Sequence, residues 1–85
     1  MQAHHRHELT NRLERLSRIG AVSIERAEIL SWYGQERFSK NIWRDIKARW
    51  EEIAGAGVEA FVWEADGLIQ FIYPEGFTEL SQKAL

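Results

Sequence analysis

An Asp-Gly pair between two runs of strand-forming residues, in "VEAFVWEADGLIQFIYP", constrains the fold more than any other stretch of the chain. A two-residue hairpin turn of type I′ needs positive φ at both central residues, and Asp-Gly adopts it readily. The stretch therefore predicts a β-hairpin over residues 58–73, turning at Asp66-Gly67. This turn sets the cross-strand pairs Ala65–Leu68, Trp63–Gln70 and Phe61–Ile72.

Both faces of the predicted hairpin are largely apolar. One face carries Ala60, Val62, Glu64, Ile69, Phe71 and Tyr73, and the other carries Phe61, Trp63, Ala65, Leu68, Gln70 and Ile72. A hairpin on a layer of helices buries one face, so the C-terminal tail, the first helix or a second subunit should cover the other. The sequence leaves open which face is buried. We assign a partner or dimer interface to Phe61, Trp63, Leu68 and Ile72.

Three helices are predicted before the hairpin, within residues 8–54. The first runs from Glu8 to Ile19, where Leu9, Leu13, Leu16 and Ile19 recur at helical spacing. The second runs from Ser23 to Tyr33, with Ser23 as N-cap and Gly34 as its end. The third lies within Phe38 to about Ala54, with an apolar face that includes Ile42, Ile46 and Trp50. Ser39 is its candidate N-cap, and a start nearer Gln35 is the alternative. The predicted order is α-α-α-β-β, so the fold class is α+β in a single domain. The order of helix, turn, helix and hairpin resembles that of a winged helix.

The 85 residues suffice for one small domain, and four Trp, four Phe and two Tyr supply its core. We expect residues 1–7 to be disordered and the tail, residues 74–85, to form at most a frayed helical turn around Thr78 to Lys83. The chain has no cysteine, which excludes disulfides, thiolate metal sites and cysteine nucleophiles. It has no apolar run of membrane-spanning length and no signal-peptide pattern. We therefore expect a soluble cytoplasmic protein without membrane contact.

The net charge of −2 conceals a division between the two parts of the chain. Residues 1–50 carry ten Lys or Arg and six acids, a net +4, whereas residues 51–85 carry seven acids and one Lys, a net −6. The front of the third helix concentrates the positive charge. Its candidate DNA-binding residues are Arg37, Lys40, Asn41, Arg44 and Lys47. Arg and Lys bond guanine edges and phosphates, and Asn bonds adenine. The alternative is an ordinary solvated helix face.

Other chemistry finds little support in the sequence. "HHRH" places His4 and His7 three residues apart, but without a second cluster we predict no metal site. No nucleophile motif or Gly-rich phosphate loop is present, so we predict neither an enzyme nor a cofactor. Arg12, Arg15 and Arg18 of the first helix could flank a DNA backbone, but pairing with Glu8 and Glu14 at helical spacing is the favoured interpretation.

The stretch "FSKNIWRDIKARWEEIAGAGVEAFVWEADGLIQFIY" resembles the recognition helix and wing of winged helix-turn-helix regulators of the DeoR kind. The resemblance covers about residues 38–73. It rests on Ser39-Lys40, Trp43-Arg44-Asp45-Ile46, Glu51-Glu52, the Gly55–Gly57 turn and the Asp66-Gly67 hairpin. Two departures are a longer segment before the helix, "ILSWYGQERFS", and a hairpin tip without Lys or Arg.

The resemblance implies a small sequence-specific transcriptional regulator that binds double-stranded DNA as a homodimer. Compact regulators of this size are common on phages and plasmids, so we expect such an origin. The alternative is a protein-interaction module or inhibitor without DNA affinity. In that case the acidic, apolar hairpin half would face a partner with a basic surface.

Overall fold

The computed structural model describes residues 1–76 as a small α+β domain in which helices pack against a three-stranded antiparallel sheet. The elements, in chain order, are α1 (Ala3–Ile19), β1 (Ala21–Glu25), α2 (Arg26–Tyr33), α3 (Lys40–Ala54), β2 (Phe61–Ala65), β3 (Leu68–Ile72) and a 3-10 turn (Pro74–Gly76). The strand order in the sheet is β1-β3-β2. The turn predicted around Thr78 to Lys83 lies outside the described residues.

The main correction to the sequence prediction is strand β1. Residues 23–25, predicted as the start of the second helix, belong to this strand, and α2 begins only at Arg26 after Glu25 as N-cap. The strand forms because "AVSIE" alternates with period two: Val22 and Ile24 are buried and Ser23 is exposed. Pairing with β3 along its whole length then satisfies its backbone. The first two helices are therefore separated by a strand.

Helix α1 also differs from the prediction at both ends. It begins at Ala3, because the carbonyl of Gln2 accepts hydrogen bonds from the N–H groups of His5 and Arg6, both at 3.1 Å. Residues 3–7, predicted to be disordered, therefore form helix. At the other end Ile19, predicted on the apolar face, is 53% exposed. Gly20 ends the helix with a φ of 87° and donates its N–H to the carbonyl of Leu16.

The register of the hairpin agrees with the sequence prediction, although its strands are shorter than residues 58–73, and α3 starts after Ser39 and not near Gln35. The pairs Ala65–Leu68, Trp63–Gln70 and Phe61–Ile72 are observed, with φ values of 52° at Asp66 and 77° at Gly67. Ser39 caps α3, since its Oγ accepts the N–H of Ile42 at 3.4 Å. Phe38, just before the cap, stacks on Trp43 with ring centroids 4.9 Å apart. This apolar contact across the cap fixes the direction in which the chain enters the helix.

The core lies between the inner faces of the helices and one face of the sheet. Its buried side chains are Leu9, Leu13, Leu16, Val22, Ile24, Ile29, Trp32, Ile42, Ile46, Trp50, Ile69 and Phe71. In residues 1–76 no polar or charged side chain is buried. The burial of Ile69 and Phe71 shows that the hairpin face shared with Val62 and Glu64 is turned toward the helices.

Candidate nucleic-acid interface

The front of α3 presents the five residues that the sequence singled out. Lys40, Arg44 and Lys47 follow one another at spacings of four and three residues, which aligns them in a stripe along the helix. Asn41 lies beside the stripe, and Arg37 precedes the N-cap. All five side chains are exposed, on the side of α3 opposite its buried face. We call this set the basic stripe.

Within residues 1–76 none of the basic-stripe cations forms an ion pair. The ion pairs of this region are Arg12–Glu28, Arg26–Glu64 and Arg49–Asp45. Arg12, Arg26 and Arg49 are thus neutralised by acids, whereas the basic stripe keeps its charge, as do Arg6, Arg15 and Arg18 of α1. An external anion that approached α3 would meet this charge without displacing an internal partner.

The position of the basic stripe within α3 does not serve helix stability. The N-terminus of a helix carries partial positive charge, so acids stabilise the first turn and cations do not. The first turn of α3 contains no acid and contains Lys40, while Glu51 and Glu52 lie in the last turns. This arrangement opposes the helix dipole at both ends. It favours an anion bound at the N-terminal half of α3.

Asp45, the acid within α3 closest to the basic stripe in sequence, faces α2 instead. Its Oδ2 accepts a 2.6 Å hydrogen bond from the Tyr33 hydroxyl and a 2.8 Å hydrogen bond from Arg49 Nε. Partial burial opposes ionisation of Asp45, but these two hydrogen bonds outweigh it and lower the pKa of the carboxyl group. Burial and the same hydrogen bond raise the pKa of Tyr33. The cluster joins α2 to α3 and removes Asp45 from the front of the helix.

The arginines of α1 divide into one structural and two exposed side chains. Arg12 pairs with Glu28 of α2 at 3.3 Å and lies 5.9 Å from the centre of the Trp32 ring. The pairing predicted with Glu8 or Glu14 is therefore not the one that Arg12 makes. Arg15 and Arg18 are exposed, and neither forms an ion pair in the described part of the chain.

The hairpin tip is held against the start of α2. Arg26 donates to Glu64 at 3.2 Å, its guanidinium lies 4.6 Å from the centre of the Phe38 ring, and its backbone N–H bonds the carbonyl of Gly67. Arg26 thus offsets the charge of Glu64, whereas Asp66 at the tip forms no ion pair within residues 1–76. Sequence reasoning missed this contact because 38 residues separate Arg26 from Glu64.

The sheet face that points away from the helices carries the residues assigned to a partner interface. Trp63 is 65% exposed, Phe61 52% and Leu68 46%, and Ile72 is half-buried on the same face. Large apolar side chains clustered in this way on a surface mark an interaction site. The structure thus places the four predicted residues together.

On the helix-facing side of β2, a groove of about 550 Å³ lies between this strand and α3. Trp43, Ile46 and Trp50 of α3 form one wall, with Val58 and Val62 on the other. The Trp50 indole N–H donates to the carbonyl of Val58 at 2.9 Å, which links the two walls. Because the groove borders β2, Val62 stays 46% exposed although it points toward the helices.

The rings of His4 and His5 lie 4.1 Å apart, but no group of three or more His, Asp or Glu side chains in residues 1–76 is placed to hold a metal ion. None of the helices in these residues has the length and apolarity needed to cross a bilayer.

Comparisons with known proteins give no relative of this chain: no family model, curated protein or solved structure matches it. The resemblance to regulators of the DeoR kind therefore stays a prediction. The DNA-binding role that the resemblance implies depends on the exposed face of α3 and on the arrangement of the elements around this helix.

Proposed function

We propose that the protein is a small sequence-specific DNA-binding regulator that places α3 in the major groove. The observation that carries the proposal is the basic stripe. Its four cations and one amide are exposed, and the cations make no ion pairs in the described residues. Lys40, Asn41 and Arg44 lie in the N-terminal half of the helix, Lys47 lies at its middle and Arg37 precedes the N-cap. Residues in that half contact base edges when a recognition helix docks.

The order of the elements supports this role for α3. A helix, a strand, two helices and a hairpin, with the first strand paired to the last, is similar to the arrangement of winged helix-turn-helix domains. In such an arrangement α2 lies across the DNA backbone and α3 enters the groove. The cluster of Tyr33, Asp45 and Arg49 fixes the position of α2 relative to α3. The segment between the two helices, residues 34–39, brings Arg37 to the same end as Lys40.

The residues of the basic stripe have separable roles in this proposal. Arg44 reads guanine with its two-pronged guanidinium, and Asn41 reads adenine through its amide. Arg37, Lys40 and Lys47 bind phosphates, which sets the register of the helix and makes affinity depend on salt.

The hairpin would not act as a DNA-contacting wing. Residues 58–73 contain no Lys or Arg, and the tip carries the acid Asp66, which phosphates would repel. We assign the hairpin to dimerisation. Two copies related by a two-fold axis would then present two α3 helices to half-sites about one DNA turn, ~34–36 Å, apart.

Fluorescence anisotropy with labelled duplex DNA across a salt series tests the proposal. The wild-type protein should bind random-sequence duplex at low salt and lose affinity steeply as salt rises. Lys40→Ala with Arg44→Ala should abolish most of this binding. The matched control is Arg15→Ala with Arg18→Ala, which removes the same charge from the exposed side of α1. Equal losses in both double variants, or no binding by the wild type, would refute the proposal.

A second candidate function is a protein-interaction module without DNA affinity, and the exposure of Phe61, Trp63 and Leu68 favours it. The partner would carry a basic surface, because the segment from residue 51 onward has a net charge of −6. Under this function Lys40→Ala with Arg44→Ala leaves activity nearly unchanged. Trp63→Glu abolishes partner binding while the free protein stays folded.

A further inference from the structure

Strand β2 is an edge of the sheet in the described residues, and its protection as an edge is weak. The strand order β1-β3-β2 pairs β2 on one side only. Natural edge strands are commonly guarded by short length, charged side chains, proline or a bulge. Strand β2, "FVWEA", is short but has no lysine, proline or bulge, and every one of its residues is exposed. Its one charged side chain, Glu64, is paired with Arg26. Such an edge is a template for another strand.

The hydrogen-bonding direction of each β2 residue follows from bonds at the ends of the sheet. Tyr73 donates its N–H to Gly20 and Arg26 donates its N–H to Gly67, so residues 69 and 71 of β3 bond toward β1. Residues 68, 70 and 72 therefore bond toward β2 and its residues 65, 63 and 61. The backbone groups of Val62 and Glu64 consequently point outward, away from β3.

We propose that β2 pairs antiparallel with β2 of a second copy, about a two-fold axis through Trp63. In this register Val62 of each copy lies opposite Glu64 of the other. These are the residues whose backbone groups point outward, so four inter-chain hydrogen bonds form. Trp63 then faces Trp63 of the second copy in a non-hydrogen-bonded pair, where side chains approach most closely. The two sheets become one sheet of six strands.

The side chains of β2 are compatible with this self-pairing. Glu64 is its one ionisable residue, and Arg26 of the same copy pairs with that carboxylate, so the two edges do not repel strongly. The exposed Phe61 of each copy lies beside the small Ala65 of the other, which leaves room for its ring. The contact is made by one five-residue strand from each copy, far fewer than the roughly 20–30 residues a side of standard interfaces. The dimer should therefore be weak and concentration-dependent.

The inference rests on the proposed function, in which a second copy of this chain is the partner. Its test, however, needs no DNA. Sedimentation equilibrium on the whole chain should show a monomer–dimer equilibrium. Val62→Pro removes an outward N–H that β3 does not use, so the hairpin should persist while the dimer is lost. Val62→Thr keeps the N–H and should dimerise like the wild type. A monomeric wild type, or a Val62→Pro variant that is folded and dimeric, overturns the proposal.

Disulfide formation locates the axis independently, because the chain has no cysteine of its own. Directly opposed positions bring Cβ atoms to about 4.5–5.5 Å, near the distance that a disulfide requires. Trp63→Cys should therefore cross-link rapidly on mild oxidation. Leu68→Cys, exposed on the same sheet face but on β3, should not, because three strand spacings of ~4.8 Å separate the two copies of that position. Equal cross-linking of both variants would mean that the faces pack together, and would exclude edge pairing.

The dimer and the DNA-binding function can fail separately. A folded, monomeric Val62→Pro variant should keep the salt-dependent affinity of one basic stripe for short duplex DNA. Loss of dimerisation with retained DNA binding supports both proposals. A dimeric wild type without DNA binding supports edge pairing and refutes the regulator.

Discussion

The Tyr33 hydroxyl donates a 2.6 Å hydrogen bond to Asp45, and this bond joins the last residue of α2 to the middle of α3. Arg49 completes the contact from one turn further along α3, with its Nε 2.8 Å from the same carboxylate oxygen. The contact turns the one acid in the first half of α3 toward α2. The exposed front of α3 thus stays positively charged because the Tyr33–Asp45 hydrogen bond holds this acid on the side of the helix that faces α2.

Removal of the Tyr33 hydroxyl should weaken the α2–α3 contact. Tyr33→Phe keeps the ring packed on the core and deletes one hydrogen bond to a carboxylate, so we expect a loss of about 1–2 kcal/mol in the free energy of unfolding. Urea denaturation measures it. The control is Tyr73→Phe, whose hydroxyl bonds the exposed Glu75 and should contribute close to nothing. Similar losses in both variants would mean that the Tyr33–Asp45 bond stabilises the fold no more than the exposed Tyr73–Glu75 bond does.

The lowered pKa of Asp45 predicts a pH dependence of stability. Because the folded-state pKa lies below the ordinary value of 3.8, ionised Asp45 stabilises the fold at pH values above that ordinary value. This contribution is lost as the pH falls through the lowered pKa. Wild type should therefore be more stable than Asp45→Asn near neutral pH, and the difference should shrink in acid. Urea denaturation of both proteins from about pH 7 to about pH 2 measures the difference; a constant difference would contradict the assignment.

The sequence predicted the parts of this fold that local chemistry determines. The Asp66-Gly67 turn set the register of the hairpin, and Ser39 marked the start of α3, because each feature depends on residues within a few positions. Strand β1 was missed because "SIERAEIL" also fits a helix. Its strand conformation depends on pairing with β3, more than forty residues later in the chain.

In the candidate site, too, the features within one element were predictable and the contacts between elements were not. Helical spacing alone aligned Lys40, Arg44 and Lys47, since all three lie on one element. The contacts that neutralise other charges were not predictable, because Arg26–Glu64 and Tyr33–Asp45 join elements whose relative placement the sequence does not state. The orientation of the hairpin was undetermined for the same reason, because both of its faces are apolar.

Substitution of Gly67 should lower the free energy of unfolding more than the open space around this residue suggests. Its φ of 77° lies in the left-handed region, although nothing lies within 4 Å of the position that a Cβ would occupy. Gly67→Ala should therefore cost about 1–2 kcal/mol of unfolding free energy from backbone strain alone. Gly67→Asn is the control at the same position, because Asn also adds a Cβ but tolerates the left-handed region better than Ala. Thermal denaturation compares the two variants, and equal melting temperatures would contradict strain as the cause.

Lys47 should contribute to DNA affinity without contributing to sequence preference. It lies at the far end of the basic stripe from the helix N-terminus, where a phosphate contact is expected. Lys47→Ala should weaken binding to all duplexes alike and reduce the slope of log affinity against log salt by about 0.9. Anisotropy titrations at several salt concentrations measure the slope. An unchanged slope would place Lys47 outside the interface.

Arg44 should instead determine which sequence is bound. Arg44→Lys keeps the charge of the side chain, and hence the salt slope, but loses the two-pronged donor that matches guanine. On an operator obtained by selection from random duplex, the variant should lose about 1–3 kcal/mol of discrimination against a substituted guanine pair. Its affinity for random duplex should stay close to that of the wild type. Competition titrations with operator and substituted operator measure the discrimination. A variant that loses affinity equally for both sequences would show that Arg44 binds the backbone, and the reading of bases would then fall to Asn41.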